Sequence, residues 1–212
     1  MRSAAQFLLV SLVFVSAQAG VSDEARVAVP VAKSGSVAQV CPISDTGALT
    51  ARHVTRANSD GSEEDLAKPA QPIIFESNGR GPGVAEEVYA DTRRDISVIK
   101  AVIGTFPFHY ALAASPPSVG ETVTLVGYTP SFTPEVMRAK VVWIFAGVVY
   151  FDHSPGPGSS GSCLLSTTSP PVVYAINSLY FDRTGGKTGA ALAVWGEWGV
   201  IPEQYRSTTA PK

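Results

Sequence analysis

An all-β protein, barrel or sandwich, is what this 212-residue sequence predicts. Short apolar and β-branched stretches recur from Ser36 onward, turn residues (Gly, Pro, Asn, Asp) separate them, and no long segment of helical period competes. With 45% hydrophobic and 16% charged residues, the chain has enough apolar material to offset the entropy of ordering. Its 19 Gly and 16 Pro stay far below a low-complexity composition. Sixteen basic against eighteen acidic residues leave a formal net charge of −2, which gives no reason to expect nucleic acid or an anionic membrane as partner.

The first nineteen residues stand apart from the fold. Arg2 precedes the apolar run Phe7–Val15, and Ala17-Gln18-Ala19 follows just before Gly20. A basic start, a short apolar centre and small residues at the end describe a secretory signal peptide. The run falls short of the roughly 20 apolar residues that span a bilayer, so stable membrane insertion is not expected and an uncleaved anchor is the lesser alternative. Cleavage after Ala19 makes the mature protein secreted or periplasmic.

Residues 20–35 read as an N-terminal extension. Strands are then expected at Val37–Ile43, Ala48–Val54, Pro72–Phe75 and Ile96–Val102, with the polar run Asn58–Lys68 as an exposed loop that has room for one helical turn at Glu63–Ala67. The stretch Ala113-Ala114-Ser115-Pro116-Pro117-Ser118-Val119-Gly120 is the best linker. Beyond it come Thr122–Tyr128, Val136–Phe145, Val148–Phe151, Cys163–Leu165, Val172–Ile176 and Ala190–Val194. The strands thus fall into two near-equal halves, 36–115 and 116–206, followed by a tail at 207–212.

Three segments carry chemistry. Leu49-Thr50-Ala51-Arg52-His53-Val54 puts a histidine at the end of an apolar strand. Asp95-Ile96-Ser97-Val98-Ile99-Lys100 puts an acid at the start of another. Gly156-Pro157-Gly158-Ser159-Ser160-Gly161-Ser162-Cys163-Leu164 leads a glycine-flanked serine into a third. A serine hydroxyl is a weak nucleophile at neutral pH, so it needs a base, and the base needs a partner that fixes its tautomer. Flanking glycines let the backbone turn tightly enough for two amide N–H groups to face a developing oxyanion. Singly, each segment has a plainer reading: a structural histidine, a turn aspartate, a flexible loop. Together they occur in the order His, Asp, Ser, which is one of the known chain orders of a catalytic triad. Asp91 is the rival acid, His109 and His153 are rival bases, and Ser159 is the rival nucleophile.

Thr50-Ala51-Arg52-His53, Asp95–Lys100 and Gly158-Ser159-Ser160-Gly161-Ser162 resemble the three signatures of trypsin-like (chymotrypsin-fold) serine proteases, in particular the protease domain of bacterial Do-type enzymes and short viral or phage-like proteases. Val123–Tyr128, Ala175-Ile176-Asn177 and Gly189-Ala190-Ala191-Leu192-Ala193 are similar to strands of that group's second barrel. The resemblance covers about residues 34–200. It implies two six-stranded antiparallel barrels with the site between them. His53 would be the general base, Asp95 its orienting acid and Ser160 the nucleophile, with the N–H groups of Gly158 and Ser160 as the oxyanion hole. Ala175, Ile176, Asn177, Ala190, Ala191 and Ala193 would line the substrate pocket, favouring a small or medium apolar residue before the scissile bond. Peptide or protein is the implied substrate, and no cofactor is implied.

The sequence departs from the pattern in places. Ser159 stands where digestive-type members have an Asp, and no Ile-Val-Gly-Gly start is present, so activation by a new N-terminus is not expected. Ser162 and Cys163 replace the family's usual glycine and proline. The segment after Ser160 is too short for the PDZ domains of full Do-type enzymes, so regulation by such domains is not expected. In the resembling fold Cys41 and Cys163 run close together, which implies a disulfide beside the site, with two buried free thiols as the alternative. Thr184-Gly185-Gly186-Lys187-Thr188 mimics a phosphate-binding loop, but the required first glycine falls at Phe181. With three scattered histidines and no His-Glu-x-x-His, no metal site is expected. Two other functions fit the same residues: a catalytically silent binding protein of the same fold, and an esterase.

Overall fold

The computed structural model describes residues 29–33, 36–56, 69–76, 81–91, 94–128, 134–153, 155–156, 158–183, 186–193 and 201–205. The signal segment 1–19, the turn expected at Glu63–Ala67 and the 207–212 tail lie outside them. Thirteen strands are described. The first six are β1 (Val29–Lys33), β2 (Ser36–Pro42), β3 (Gly47–Thr50), β4 (Ile73–Glu76), β5 (Pro82–Asp91) and β6 (Ile96–Ile103). They close into an antiparallel barrel in the order β1-β2-β3-β6-β5-β4. Closure leaves no unpaired edge, which is how a barrel avoids the exposed hydrogen-bonding row of an open sheet.

The other seven strands are β7 (Ala111–Leu112), β8 (Thr122–Tyr128), β9 (Pro134–Phe145), β10 (Val148–Phe151), β11 (Cys163–Ser166), β12 (Val172–Arg183) and β13 (Gly186–Ala193). Their order is β11-β8-β9-β10-β13-β12-β7, and β12 also pairs with β11, so the pairing of six of them returns on itself. The short β7 adds to β12 in parallel at Val172 and Val173. The all-β, two-barrel architecture is therefore as expected. At the tip of the β9–β10 hairpin, Ala146 and Gly147 both have positive φ, 50° and 77°. Two left-handed residues give the turn a twist that matches the flanking strands.

Three apolar clusters organise the interior. One fills the first barrel around Phe75, Ile73, Val40 and Ile99. A second fills the other barrel around Leu125, Val149, Phe151 and Leu164. The third lies between them and draws Ile43, Leu49, Ile96 and Val98 from the first barrel and Leu165, Val173, Ile176 and Ile201 from the second half. This explains why the first four residues of β6, Ile96–Ile99, are all buried. Ile96 and Val98 face the other barrel, and Ile99 and Ala101 face their own, so both faces of the strand are buried over Ile96–Ile99.

The structure also corrects several boundaries. The strand expected over Ala48–Val54 stops at Thr50, and Arg52–Thr55 form a 3-10 turn. β12 and β13 run on as a long hairpin to Arg183 and from Gly186. β1 lies within the segment read as an extension and pairs with β2 and β4, making it part of the barrel. β5 and β7 were not expected. β5 carries Glu86, Glu87 and Asp91, and those charges hide its strand character in the sequence. β7 precedes the linker yet pairs with the second sheet.

Candidate active site

His53 sits in the 3-10 turn that follows β3. The turn is held against the chain before β6: Arg52 N–H donates to the Asp95 carbonyl at 3.1 Å, and His53 N–H donates to Asp95 Oδ1 at 2.8 Å. The ring then meets the same carboxylate, with Nδ1 2.6 Å from Oδ2. A carboxylate only accepts, so this contact puts the ring proton on Nδ1 and makes Nε2 the basic nitrogen. Ser178 Oγ, from β12, donates to Oδ2 as well. Asp95 thus takes three donors from two elements, which fixes the plane of its carboxylate and hence of the imidazole.

The glycine-flanked loop lies against two strands. The Ser160 carbonyl accepts from Gln39 N–H of β2 at 2.8 Å, and Gly161 N–H donates to the Asn177 carbonyl of β12 at 2.8 Å. Asn177 Nδ2 donates to the Ser159 carbonyl at 3.0 Å. Gly161 has φ +85°, and a Cβ there would stand 2.0 Å from the Gln39 carbonyl oxygen. Only glycine fits that combination of backbone and neighbour. Within the loop, Ser159 N–H donates to the Gly156 carbonyl and Ser162 N–H to the Ser159 carbonyl. Among the described residues none accepts from the N–H groups of Gly158 or Ser160.

Ser178 follows Asn177 directly. The loop of Ser160 is therefore bonded to one residue of β12 and the Asp95–His53 pair to the next. The rivals are placed elsewhere. Ser159 is buried, and its Oγ donates to the Gly156 carbonyl at 2.7 Å. His109 pairs with Asp45, Nδ1 to Oδ1 at 3.2 Å. Asp91 ends β5 opposite Ile96. His153 is exposed beyond β10.

The expected pocket residues do not gather on one wall. Ala175 and Ala191 are in the core of the second barrel, and Ile176 is in the cluster between the barrels. Ala190 is buried and pairs with Tyr150 and Leu179, and Ala193 pairs with Ala175. Consecutive residues of a strand point to opposite faces, so the runs 175–177 and 190–191 could not line a single cavity. Asn177 faces the loop of Ser160. Cys41 of β2 and Cys163 of β11 form a disulfide, Cα to Cα 5.0 Å, which joins the two barrels three residues after Ser160. Among the described residues no group of three or more His, Cys, Asp or Glu could hold a metal ion.

Two parts of the site were not foreseen from the sequence, the Ser178 bond to Asp95 and a cluster around Glu87. Behind the histidine turn, Glu87 of β5 accepts from Arg56 Nη2 at 2.8 Å and Nη1 at 3.0 Å, from Thr55 Oγ1 at 2.8 Å, and from Ser97 Oγ. Burial alone would push this carboxyl up. The hydrogen bonds of Arg56, Ser97 and Thr55, together with the charge of Arg56, outweigh it and hold Glu87 below the ordinary glutamate value.

A family model described as a trypsin-like peptidase domain matches residues 34–172. No curated protein matches the sequence. Among solved structures, the serine endoprotease from Yersinia pestis is 21% identical with a TM-score of 0.62, over 80% of this chain and 59% of that one. An inactive form of Rv3671c from M. tuberculosis is 17% identical with a TM-score of 0.60, over 80% and 82%. The serine protease of a human pathogenic astrovirus is 14% identical with a TM-score of 0.59, over 84% and 94%. At these identities the likeness is one of fold.

Proposed function

The chain belongs to the trypsin-like peptidases, and from that premise we propose that it is a secreted serine endopeptidase acting through His53, Asp95 and Ser160. The observation that carries this reading is the His53 Nδ1–Asp95 Oδ2 contact of 2.6 Å, with Ser178 completing the carboxylate's shell. Peptide or protein is its substrate class.

Each residue has a stated task. Ser160 Oγ attacks the scissile carbonyl carbon, and its proton passes to His53 Nε2. The carbonyl oxygen becomes an oxyanion facing the N–H groups of Gly158 and Ser160. As the intermediate collapses, the C–N bond breaks and the leaving amine takes the proton from Nε2, leaving an acyl-enzyme. Water then attacks the acyl carbon and gives its proton to Nε2; the second intermediate collapses as the C–Oγ bond breaks and Ser160 Oγ takes that proton back from Nε2, releasing the acid. Asp95 keeps the ring in the Nδ1–H tautomer and stabilises the imidazolium between steps. Residues 1–19 act as a signal peptide removed after Ala19, and the oxidising exterior that follows suits the Cys41–Cys163 bridge.

A fluorophosphonate probe tests the reading on the mature protein. Wild type is expected to be labelled at Ser160, and Ser160→Ala and His53→Ala to lose labelling and casein cleavage. Loss of a triad member costs about 10⁴–10⁶ in kcat. A folded wild type that neither takes the probe nor cleaves casein between pH 6 and 9 would show a binding protein of the same fold instead.

A further inference from the structure

We propose that Glu87 is a positioning residue of this site, its half-buried carboxylate locking the turn that carries His53 to the strand that follows Asp95. The inference rests on the triad reading above and adds to it the device that sets the separation of two of its members. The donors come from both sides of the catalytic pair. Thr55 and Arg56 are two and three residues after His53, in the same 3-10 turn and its cap. Ser97 is two residues after Asp95, at the start of β6. All three converge on one carboxylate from β5, a strand that carries none of the triad.

The chemistry of the cluster favours a clamp over a chance ion pair. Four donors meet the ionised carboxylate here: one guanidinium N–H at Oε1, and the other guanidinium N–H, the Thr55 hydroxyl and the Ser97 hydroxyl around Oε2. The Arg56 guanidinium approaches both oxygens, the fork geometry that fixes direction as well as distance. Its side chain is 5% exposed and that of Glu87 12% exposed, so water screens the pair little. Thr55 Oγ1 accepts from Arg56 Nη1 and lies 2.8 Å from both Glu87 Oε2 and the Arg52 carbonyl, two acceptors that share its single proton. The low protonation tendency of Glu87 agrees with this crowd of donors, because a proton on the carboxyl would displace one of them. If the turn shifts relative to β6, the imidazole slides along the Asp95 carboxylate, and misplacement of a catalytic group by about 1 Å can cost 10²-fold in rate.

The test separates positioning from bulk stability. Glu87→Gln keeps the shape but offers an NH₂ to a site full of donors. The double variant Glu87→Gln/Arg56→Met also removes the buried charge whose carboxylate partner the single change takes away, and so restores stability without restoring the clamp. In active-site-titrated protein, kcat for a peptide ester is expected to fall about 10–100-fold in both variants with KM within about twofold. The low-field proton resonance of His53 Nδ1–H is expected to shift and broaden in both. Wild-type kcat and an unshifted resonance in a folded double variant would overturn the proposal. Should neither variant fold, Ser97→Ala removes one donor and keeps the charge pair; it is expected to lower kcat about 3–10-fold, and an unchanged kcat there would equally overturn it. A wild type that fails to take the probe would remove the protease reading, while the His53 resonance would still report whether Glu87 sets the His53–Asp95 contact.

Discussion

Gly161 is where the loop of Ser160 depends most on a single residue. Gly161→Ala puts a methyl 2.0 Å from a backbone oxygen at φ +85°, and the Gln39 carbonyl on β2 has little room to yield. A loss of about 2–4 kcal/mol in urea unfolding and loss of probe labelling are expected, as for other strained, overpacked positions. A stability loss below about 0.5 kcal/mol would mean the loop relaxes freely. The opposite sign is expected at Ala146, a non-glycine residue at φ 50°: Ala146→Gly should raise stability by about 0.5–1 kcal/mol, read from the same unfolding midpoint. Glu87 predicts a pH dependence. Its folded pKa is depressed, so its contribution is complete above the unfolded value near 4.5 and is lost as pH falls through the lower folded value. The stability gap between wild type and Glu87→Gln should therefore be constant above about pH 5 and shrink below it; a gap that widens in acid would have the wrong sign. His53, Asp95 and Ser160 were legible as candidates because each is a reactive residue at a strand or turn boundary, in a recognised order. Ser178 and Glu87 were not. A serine inside an apolar strand and a glutamate in a charged run look like ordinary polar residues until β12 and β5 bring them to Asp95 and Arg56.

At the level of elements, legibility follows the contrast between a strand and its surroundings. β6 and β8 were evident because both are rich in apolar and β-branched residues, and β6 is buried on both faces over Ile96–Ile99. β5 was hidden by its acids, and β3 was drawn too long because Ala51 and Val54 are buried in a turn that continues its apolar run. β1 was the most consequential omission. Val29–Lys33 pairs along five positions with β2 and at two with β4, so it is the strand that closes the first barrel. Removing residues 1–35 would expose the hydrogen-bonding edges of both neighbours, and an open pair of edges invites intermolecular pairing. That truncation is expected to aggregate or to melt well below the 20–212 protein on a thermal scan, whereas removing 1–19 should leave the melting curve unchanged. Equal melting of the 36–212 and 20–212 proteins would show that β1 contributes little to closure.

Taken whole, the molecule is joined in two ways at one junction. The Cys41–Cys163 bridge spans 122 residues of sequence and ties β2 to β11. Around it, Ile43, Ile96, Ile176 and Ile201 form an apolar core that belongs to neither barrel alone. The covalent link acts chiefly on the unfolded chain: closing a loop of that length is worth up to about 4–5 kcal/mol in the chain-entropy view. The apolar cluster acts on the folded state and couples the two barrels, because opening either would expose a face of the shared core. These contributions are separable. Cys41→Ala/Cys163→Ala should lower unfolding stability by about 3–5 kcal/mol, the upper part of that range including the two small cavities it leaves. Its unfolding should still be a single urea transition, with amide exchange at Leu49 in the first barrel and Leu165 in the second lost at the same midpoint. If the two amides instead lost protection at different urea concentrations, the bridge would be what makes the barrels one unit, and the shared core would be a docking surface too weak to couple them. The consequence reaches the site, since Ser160 is held by Gln39 from one barrel and by Asn177, through Gly161, from the other. In the double variant, labelling at Ser160 should therefore disappear at the same urea midpoint as both amides, because a nucleophile loop held by both barrels cannot outlast either.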